Sequence, residues 1–176
     1  LYESGLITYM RTDSTNLSGL AINAAKEYIC GEYGAEYSKV RNYKTRSKGA
    51  QEAHEAIRPT YIDRTSIDGT PQEQKLYELI WKRTVASQMA DAKVLRTDVK
   101  LASDKVEEKF TAQATEILFD GFLRLYIEGR DDEQDDEQST ILPNVSVGDR
   151  VQQVEMTAEC RFTAAPPRYS EATLVK

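Results

Sequence analysis

The sequence predicts an α+β fold, in which a mainly helical part is followed by a β-rich part. Between residues 16 and 89, apolar side chains recur at three- and four-residue spacing behind helix-capping residues, which is typical of amphipathic helices. From about Arg96 the apolar residues alternate with polar ones, which is typical of strands. A length of 176 residues with 40% hydrophobic residues is enough for one or two domains. We therefore expect a helical domain over residues 1–92 and a β-rich, incomplete antiparallel segment over residues 93–176.

The first helix follows an opening strand that we expect within Leu6–Thr15. Asn16 or Ser18 can cap this helix, which runs to about Tyr33 because Gly34 stops it. Its predicted apolar face consists of Leu17, Leu20, Ala21, Ala24, Tyr28 and Ile29.

A second long helix begins at Thr70-Pro71-Gln72-Glu73. This sequence combines an N-cap residue, a proline at the first helical position and a glutamate that can close a capping box. We expect the helix to run to about Met89 and to bury Leu76, Leu79, Ile80, Trp81, Val85 and Met89.

A shorter helix is expected over about Ala50–Ile57, because Pro59 pushes Arg58 out of helical geometry. Helical spacing would place Gln51, His54 and Arg58 on one polar side of it. His54 is the only histidine in the chain. Such a residue is usually an ordinary surface histidine. Beside a phosphate its charged form is favoured, and both ring nitrogens then donate hydrogen bonds.

The β-rich half reads as a series of strands and turns. The expected elements are a strand around Val99 and Leu101, a turn at Ser103-Asp104-Lys105, a strand over Val106–Ile117, a tight turn at Asp120-Gly121, an exposed loop over Glu128–Thr140, a turn over Val145–Asp149, strands over Val151–Met156 and Glu159–Thr163, and a final helix capped by Ser170.

Charge is unevenly distributed along the chain. The formal net charge is −6, but residues 1–90 carry 12 Lys and Arg against 11 Asp and Glu, whereas residues 91–176 carry 11 against 18. Within the first half, residues 39–48 hold a basic run without an acid: Lys39, Arg41, Lys44, Arg46 and Lys48, with Tyr43 among them. Such a run can follow a phosphate backbone while the aromatic ring stacks on a base. Composition alone favours the other interpretation, a solvated loop.

Composition also excludes several classes of protein. No apolar run approaches the roughly 20 residues of a membrane span, and two distant cysteines suit neither a zinc site nor a disulfide framework. The carboxylates of residues 128–140 are read as solvated, so no metal ligands are assigned. The chain begins with Leu and shows no secretion leader. We expect a cytoplasmic protein that is part of a longer polypeptide.

The segment that carries the predicted chemistry is Leu6–Thr15, in which Tyr9, Arg11 and Asp13 follow one another at two-residue spacing. In an extended chain these three side chains point to the same face. A tyrosine hydroxyl is protonated at neutral pH, so a nucleophilic Tyr9 requires a nearby cation that favours the phenolate, and Arg11 is the candidate. The planar guanidinium also matches the oxygens of a phosphate. Taken singly, each residue is more often structural.

Two segments resemble a known family. Residues 7–15, ITYMRTDST, are similar to the active-site segment of bacterial type IA DNA topoisomerases, topoisomerase I in particular. Residues 51–60, QEAHEAIRPT, resemble the histidine-bearing segment of the same family. The similarity continues through LFDGF (Leu118–Phe122) and PPRYSEATLVK (Pro166–Lys176).

The resemblance implies an ATP-independent enzyme that cleaves and reseals one DNA strand through a 5′-phosphotyrosine intermediate and relaxes negative supercoils. It implies Tyr9 as nucleophile, Arg11 as partner of phosphate and phenolate, and DNA contacts from His54, Arg58 and Asp13. Residues 93–176 would then form part of the family's arch domain. The implied partner is DNA, preferentially single-stranded, in a bacterial cytoplasm and associated with the chromosome.

The family also binds Mg²⁺ through an acidic cluster on a separate Toprim domain, and nothing in this sequence resembles that domain. We therefore expect the 176 residues alone to be inactive in relaxation and to depend on Toprim and other domains of the same polypeptide. The alternatives are a topoisomerase III-like type IA enzyme and a non-catalytic module that binds single-stranded DNA. A protein-interaction segment is a weaker possibility, suggested by the acidic second half.

Overall fold

The computed structural model describes residues 1–43, 54–126, 142–160, 162–163, 165, 168–169 and 174, and it has the expected α+β fold. Two helices, α1 (Gly19–Glu32) and α2 (Pro71–Ser87), precede an antiparallel sheet of two strands, β1 (Lys93–Ser103) and β2 (Val106–Phe119). Short 3₁₀ helices lie at Ala35–Tyr37 and Gly121–Arg124.

The chain divides into two compact units. The first contains the described residues within Leu1–Leu95 and Glu116–Glu128, and so holds both helices. The second contains those within Arg96–Thr115 and Gly129–Lys176. Each strand of the sheet therefore has residues in both units.

Helix α1 begins and ends where the sequence predicts. The Ser18 side chain accepts a hydrogen bond from the backbone N–H of Ala21, and Tyr33 is the C-cap. Gly34 follows with φ +107°, a conformation that disfavours other residues.

The buried side of α1 differs in part from the predicted face. Leu17, Ala21 and Ile29 are buried as expected, but Leu20 is exposed, while Ile22 and Ala25 are buried. Leu20 lies two residues before Ile22 and therefore about 200° away around the helix, on the opposite side.

Helix α2 has the predicted capping box. The backbone N–H of Thr70 donates to Glu73 at 2.7 Å, and that of Glu73 donates to the Thr70 hydroxyl at 3.3 Å. These two bonds satisfy N–H groups that have no partner within the helix.

The buried face of α2 is rotated from the predicted one. Trp81, Val85 and Met89 are buried as expected, but Leu76 and Leu79 are half exposed and Tyr77 is buried instead. The Tyr77 hydroxyl donates to the carbonyl of Arg64 at 2.7 Å, and the Trp81 indole N–H donates to that of Ile62 at 2.7 Å. The two aromatic side chains can bury their rings because their polar atoms find these carbonyls.

The core lies in the first unit and draws on segments that are distant in sequence. Its buried members are Ile7, Ile29, Tyr37, Ile62, Ile67, Tyr77, Trp81, Val85 and Met89. The α1 residue Tyr28 packs edge-on against Trp81 of α2, with ring centroids 5.4 Å apart. Burial raises the pKa of the Tyr28 and Tyr77 hydroxyls, so both rings serve the packing as neutral phenols.

The two strands are joined by the predicted turn at Asp104-Lys105, and nearly all of their residues are exposed. The expected tight turn between strands at Asp120-Gly121 is wrong, because a 3₁₀ helix follows β2. Gly121 has φ +51° and lies against the segment after α2, where the N–H of Phe122 donates to the carbonyl of Ala90 at 2.9 Å. A side chain at Gly121 would meet that carbonyl at 2.5 Å.

The remaining described residues contain the predicted turn and no strand. The turn is confirmed at Val147-Gly148, where the N–H of Asp149 donates to the carbonyl of Ser146. The strand predicted over Val151–Met156 is wrong, and the described part of Glu159–Thr163 is not a strand. A strand requires a hydrogen-bonded neighbour, which alternation of residues does not supply. The loop over residues 128–140 and the start of the final helix lie outside the described residues.

None of the described helices is both long and apolar enough to cross a membrane.

Candidate functional site

The two segments singled out by their sequence lie side by side. Ile7 and Pro59 form an isolated antiparallel bridge, and the N–H of Thr8 donates to the carbonyl of Arg58 at 2.9 Å. The pairing goes no further, so the opening strand expected within Leu6–Thr15 is wrong. The segments are held instead by single bonds between distant residues.

The hydroxyl of Thr8 makes the closest of these bonds. It donates to the carbonyl of Ala56 at 2.7 Å and accepts from the N–H of Arg58 at 2.9 Å. The backbone N–H of Ala56 donates in turn to the carbonyl of Asn16 at 2.8 Å. Both backbone groups of Ala56 are thus bonded to distant residues, and residues 54–57 are not helical. The predicted short helix is wrong there, and its residues 50–53 lie outside the described ones.

Tyr9 and His54 are brought into contact by this arrangement. Their ring centroids are 5.6 Å apart and the planes make an angle of 74°, an edge-on packing. Tyr2 packs edge-on against Tyr9 as well, at 5.4 Å and 70°. The Tyr9 side chain remains 41% exposed, so a ligand can reach it. Edge-on ring pairs contribute roughly 0.5–1.5 kcal/mol each, which favours a defined position for the Tyr9 ring.

Arg58 has internal partners. Its side chain is buried, and its guanidinium donates to both carboxylate oxygens of Glu55, at 3.1 and 2.7 Å, and to the carbonyl of Pro59 at 2.8 Å. Glu55 also accepts the N–H of Ser18 at 2.7 Å, at the start of α1. Desolvation alone would raise the pKa of the Glu55 carboxyl, but the bonds from Arg58 and Ser18 outweigh it and lower that pKa. Glu55 is therefore held as a carboxylate directly after His54.

Arg11 and Asp13 are both exposed and follow Tyr9 closely in the chain. Within the described residues, the Arg11 guanidinium has no hydrogen bond or ion pair. An exposed planar guanidinium is well suited to bind an anion from solution. The roles assigned to these two residues from the sequence stay predictions.

The described start of the basic run contacts the last residue of α2 and the chain just after that helix. Lys39 and Arg41 both pair with Asp91, and the Lys39 hydrogen bond is the main reason that the pKa of the Asp91 carboxyl is lowered. The Tyr43 hydroxyl donates to the carbonyl of Ser87 at 3.0 Å. Lys44, Arg46 and Lys48 lie outside the described residues.

In the described part of the chain, no three His, Cys, Asp or Glu side chains lie close enough to hold a metal ion. Cys30 and Cys160 are free thiols.

Sequence reasoning missed three residues of this site: Tyr2, Thr8 and Glu55. Their partners are Tyr9, Ala56 and Ser18, and two of these pairs join segments that are far apart in the chain. Local periodicity carries no signal for such contacts. Thr8 and Glu55 lie within the two quoted motifs. Their roles could have been found only by expecting the two motifs to lie side by side in the fold.

The chain matches a family model and two curated relatives over its whole length, and a solved structure over most of it. A family model described as DNA topoisomerase matches residues 1–176. The chain is 48% identical to DNA topoisomerase 1 of Streptomyces coelicolor and 46% identical to that of Zymomonas mobilis, over 100% of its own length. It spans 20% and 15% of the length of these relatives. Full-length topoisomerase I from Thermotoga maritima matches 71% of the chain at 34% identity with a TM-score of 0.59, over 20% of that structure.

Proposed function

We propose that this chain, which belongs to the bacterial DNA topoisomerase I family, carries the nucleophile of a type IA topoisomerase. The observation that carries the proposal is the contact between the exposed Tyr9 and the single histidine His54. An accessible phenol beside a potential cation suits attack on a phosphodiester. The enzyme cleaves one strand, reseals it and so relaxes negative supercoils.

The proposed reaction is a reversible transesterification. The Tyr9 hydroxyl loses its proton and its oxygen attacks the phosphorus, the bond from phosphorus to the 3′ oxygen breaks, and the released oxygen takes up a proton to become a 3′-hydroxyl. The 5′ end of the broken strand is then esterified to Tyr9. In the reverse step, the 3′-hydroxyl attacks the phosphotyrosine and restores both the strand and the phenol. One ester replaces another, so no ATP is consumed.

Arg11 is proposed to bind the non-bridging oxygens of the phosphate and to favour the phenolate. Its side chain is exposed, which supports this role, because a planar guanidinium can form two parallel bonds to a phosphate. His54 is proposed to donate to the DNA backbone next to the cleaved bond. Its edge-on position beside Tyr9 supports this role.

Asp13 and Arg58 are proposed as weaker contributors to DNA binding. Asp13, two residues after Arg11, is proposed to orient that guanidinium when DNA is bound, since Arg11 has no ion pair within the described part of the unbound chain. Arg58 is buried and ion-paired with Glu55, so its side chain supports DNA binding mainly through the shape of the segment that carries His54.

The complete enzyme is proposed to require Mg²⁺ held by other domains, Toprim among them, with single-stranded DNA as the preferred partner and the bacterial chromosome as its location. The chain spans a fifth or less of the relatives named above, which is consistent with that requirement. No step above depends on a metal bound to the described residues.

The test is a chimera in which these 176 residues replace the corresponding segment of the Streptomyces coelicolor enzyme. A single-stranded oligonucleotide labelled at its 3′ end is incubated with the chimera, and covalent adducts are trapped by denaturation. We expect an adduct that is lost in Tyr9→Phe, because only the attacking oxygen is removed, while oligonucleotide affinity is retained.

Tyr61→Phe is the matched control, because Tyr61 is another exposed tyrosine of the same unit. Its adduct should equal that of the unsubstituted chimera. An adduct that persists in Tyr9→Phe refutes Tyr9 as the nucleophile. Salt-dependent binding without any adduct in the unsubstituted chimera would favour the non-catalytic DNA-binding module.

A further inference from the structure

The Thr8 hydroxyl joins the Tyr9 segment to the His54 segment. Thr8 directly precedes Tyr9, and Ala56 and Arg58 follow His54 by two and four residues. A hydroxyl offers one donor and two acceptor positions, and here it donates to one of these residues and accepts from the other. The backbone N–H of Thr8 also donates to the carbonyl of Arg58. Thr8 therefore makes three close hydrogen bonds to the His54 segment.

The two residues that bond to Thr8, Ala56 and Arg58, are themselves held by other residues. Ala56 is held by Asn16 at 2.8 Å, and Arg58 is buried with its guanidinium on Glu55. Glu55 in turn accepts from Ser18 at the start of α1. The partners of the Thr8 hydroxyl therefore cannot simply follow it if it moves.

Tyr9 has no comparable anchor of its own. Its described side-chain contacts are the edge-on rings of Tyr2 and His54, neither of which is a hydrogen bond or an ion pair. The place and direction in which the Tyr9 side chain leaves the chain are set by its backbone, and Thr8 supplies the bonds nearest to that backbone.

We propose that Thr8 is a positioning residue whose hydroxyl sets the distance and angle between the Tyr9 and His54 rings. The expected effect on cleavage rests on the proposed function, in which Tyr9 and His54 contact the same phosphodiester. Loss of the hydroxyl should slow cleavage more than it weakens DNA binding, because a misplacement of about 1 Å can lower a rate roughly 100-fold.

The first test uses the 176-residue chain and requires no activity. Because His54 is the only histidine, its ring protons give a single pair of proton NMR signals. Tyr9→Leu defines the change in these signals when the neighbouring ring is lost. Thr8→Val, which keeps the shape and removes the hydroxyl, should move them in the same sense, and Thr8→Ser, which restores the hydroxyl, should bring them back.

Thr84→Val is the matched control, because Thr84 is a buried threonine of α2 whose hydroxyl donates to the carbonyl of Ile80 at 2.7 Å. It should leave the His54 signals unchanged. Unchanged signals in Thr8→Val, or an equal displacement in Thr84→Val, would overturn the proposal.

The second test measures single-turnover cleavage in the chimera at saturating oligonucleotide. Thr8→Val should cleave about 10- to 100-fold more slowly with oligonucleotide affinity within about threefold, and Thr8→Ser should recover most of the rate. A full cleavage rate in Thr8→Val, or an equal loss of rate in Thr84→Val, would overturn it. If Tyr9→Phe keeps its adduct, the proposed function fails, and the NMR comparison still decides on Thr8.

Discussion

At the scale of single residues, the site combines the exposed Tyr9 phenol with two arginines in contrasting environments. Arg11 is exposed and without a hydrogen bond or ion pair among the described residues, whereas Arg58 is buried and paired. Two arginines close to the same pair of segments thus have different environments. The exposed one is suited to a ligand, and the buried one to holding the fold.

Replacement of Arg11 separates charge from geometry. In the chimera, Arg11→Lys keeps the cation and loses the planar fork of donors, so we expect the cleavage rate to fall by more than the affinity for single-stranded DNA. Single-turnover cleavage and equilibrium binding of the same oligonucleotide measure the two quantities. Full cleavage by the lysine variant would show that Arg11 acts only as a point charge.

Replacement of Glu55 tests the internal ion pair through its pH dependence. Its folded pKa lies below the ordinary value of 4.5, so the carboxylate stabilises the fold fully above that value and loses its contribution as the pH falls through the lower folded pKa. Glu55→Gln should therefore lower the free energy of unfolding by about 1–3 kcal/mol at neutral pH. The difference should shrink as the solution is acidified below about 4.5.

Denaturant unfolding of the 176-residue chain at several pH values measures this difference. Glu78→Gln is the control, because Glu78 forms an exposed pair with Lys82 in α2 that contributes about 0–1 kcal/mol. A difference for Glu55→Gln that stays constant from neutral to acidic pH would contradict the assigned role of the carboxylate.

At the scale of elements, the ends of the helices are fixed by bonds within a few residues. Ser18 caps α1, and the Thr70 and Glu73 pair caps α2. The chain after β2 depends instead on a close approach to the chain after α2, at Gly121. These two kinds of boundary respond differently to substitution.

Two glycine substitutions compare the close approach at Gly121 with an open position within α1. Gly121→Ala should destabilise the chain by about 2–4 kcal/mol, because the positive φ disfavours a side chain and the new Cβ would meet the Ala90 carbonyl. Gly31→Ala, in α1 with open space around the added Cβ, should stabilise it by about 0.5–1 kcal/mol. Thermal unfolding followed by circular dichroism measures both changes, and equal signs would contradict the argument.

The same distinction explains which elements were predictable. The caps, Gly34 and the turn at Asp104-Lys105 were predicted correctly because the residues that fix them are neighbours in sequence. The helix expected around residues 54–57 was not formed, because Ala56 bonds to Thr8 and Asn16. Likewise the strand over Val151–Met156 lacked a neighbouring strand among the described residues.

The candidate site was predictable in its residues and not in its construction. Tyr9 and His54 were singled out from two motifs, but their 5.6 Å contact depends on bonds from Thr8 that no local pattern reveals. Which side of each helix is buried was equally hard to predict from the sequence. Leu76 and Leu79 are more apolar than Tyr77, yet the carbonyls of Arg64 and Ile62 decide which side of α2 is buried.

At the scale of the whole molecule, the first unit has a continuous core, while nearly all residues of the two strands are exposed. The net charge of −6 is unfavourable for DNA, so attraction to a phosphate backbone has to be local. Local attraction of this kind weakens with salt because counterions screen it.

The 176-residue chain alone should therefore bind single-stranded DNA weakly and should not relax supercoiled DNA. Binding measured at increasing salt should fall steadily, and gel electrophoresis of a supercoiled plasmid with Mg²⁺ should show no change in topology. The chimera, which adds the other domains, should relax the same plasmid. Robust relaxation by the chain alone would place the complete catalytic machinery within these residues.

The position of Trp81 has an optical consequence. It is the only tryptophan of the chain, it is 5% exposed, and its ring contacts Tyr28 of the other helix. Its fluorescence therefore comes from the interior of the first unit alone. A red shift of that emission reports the exposure of Trp81 to water as its packing against Tyr28 is lost.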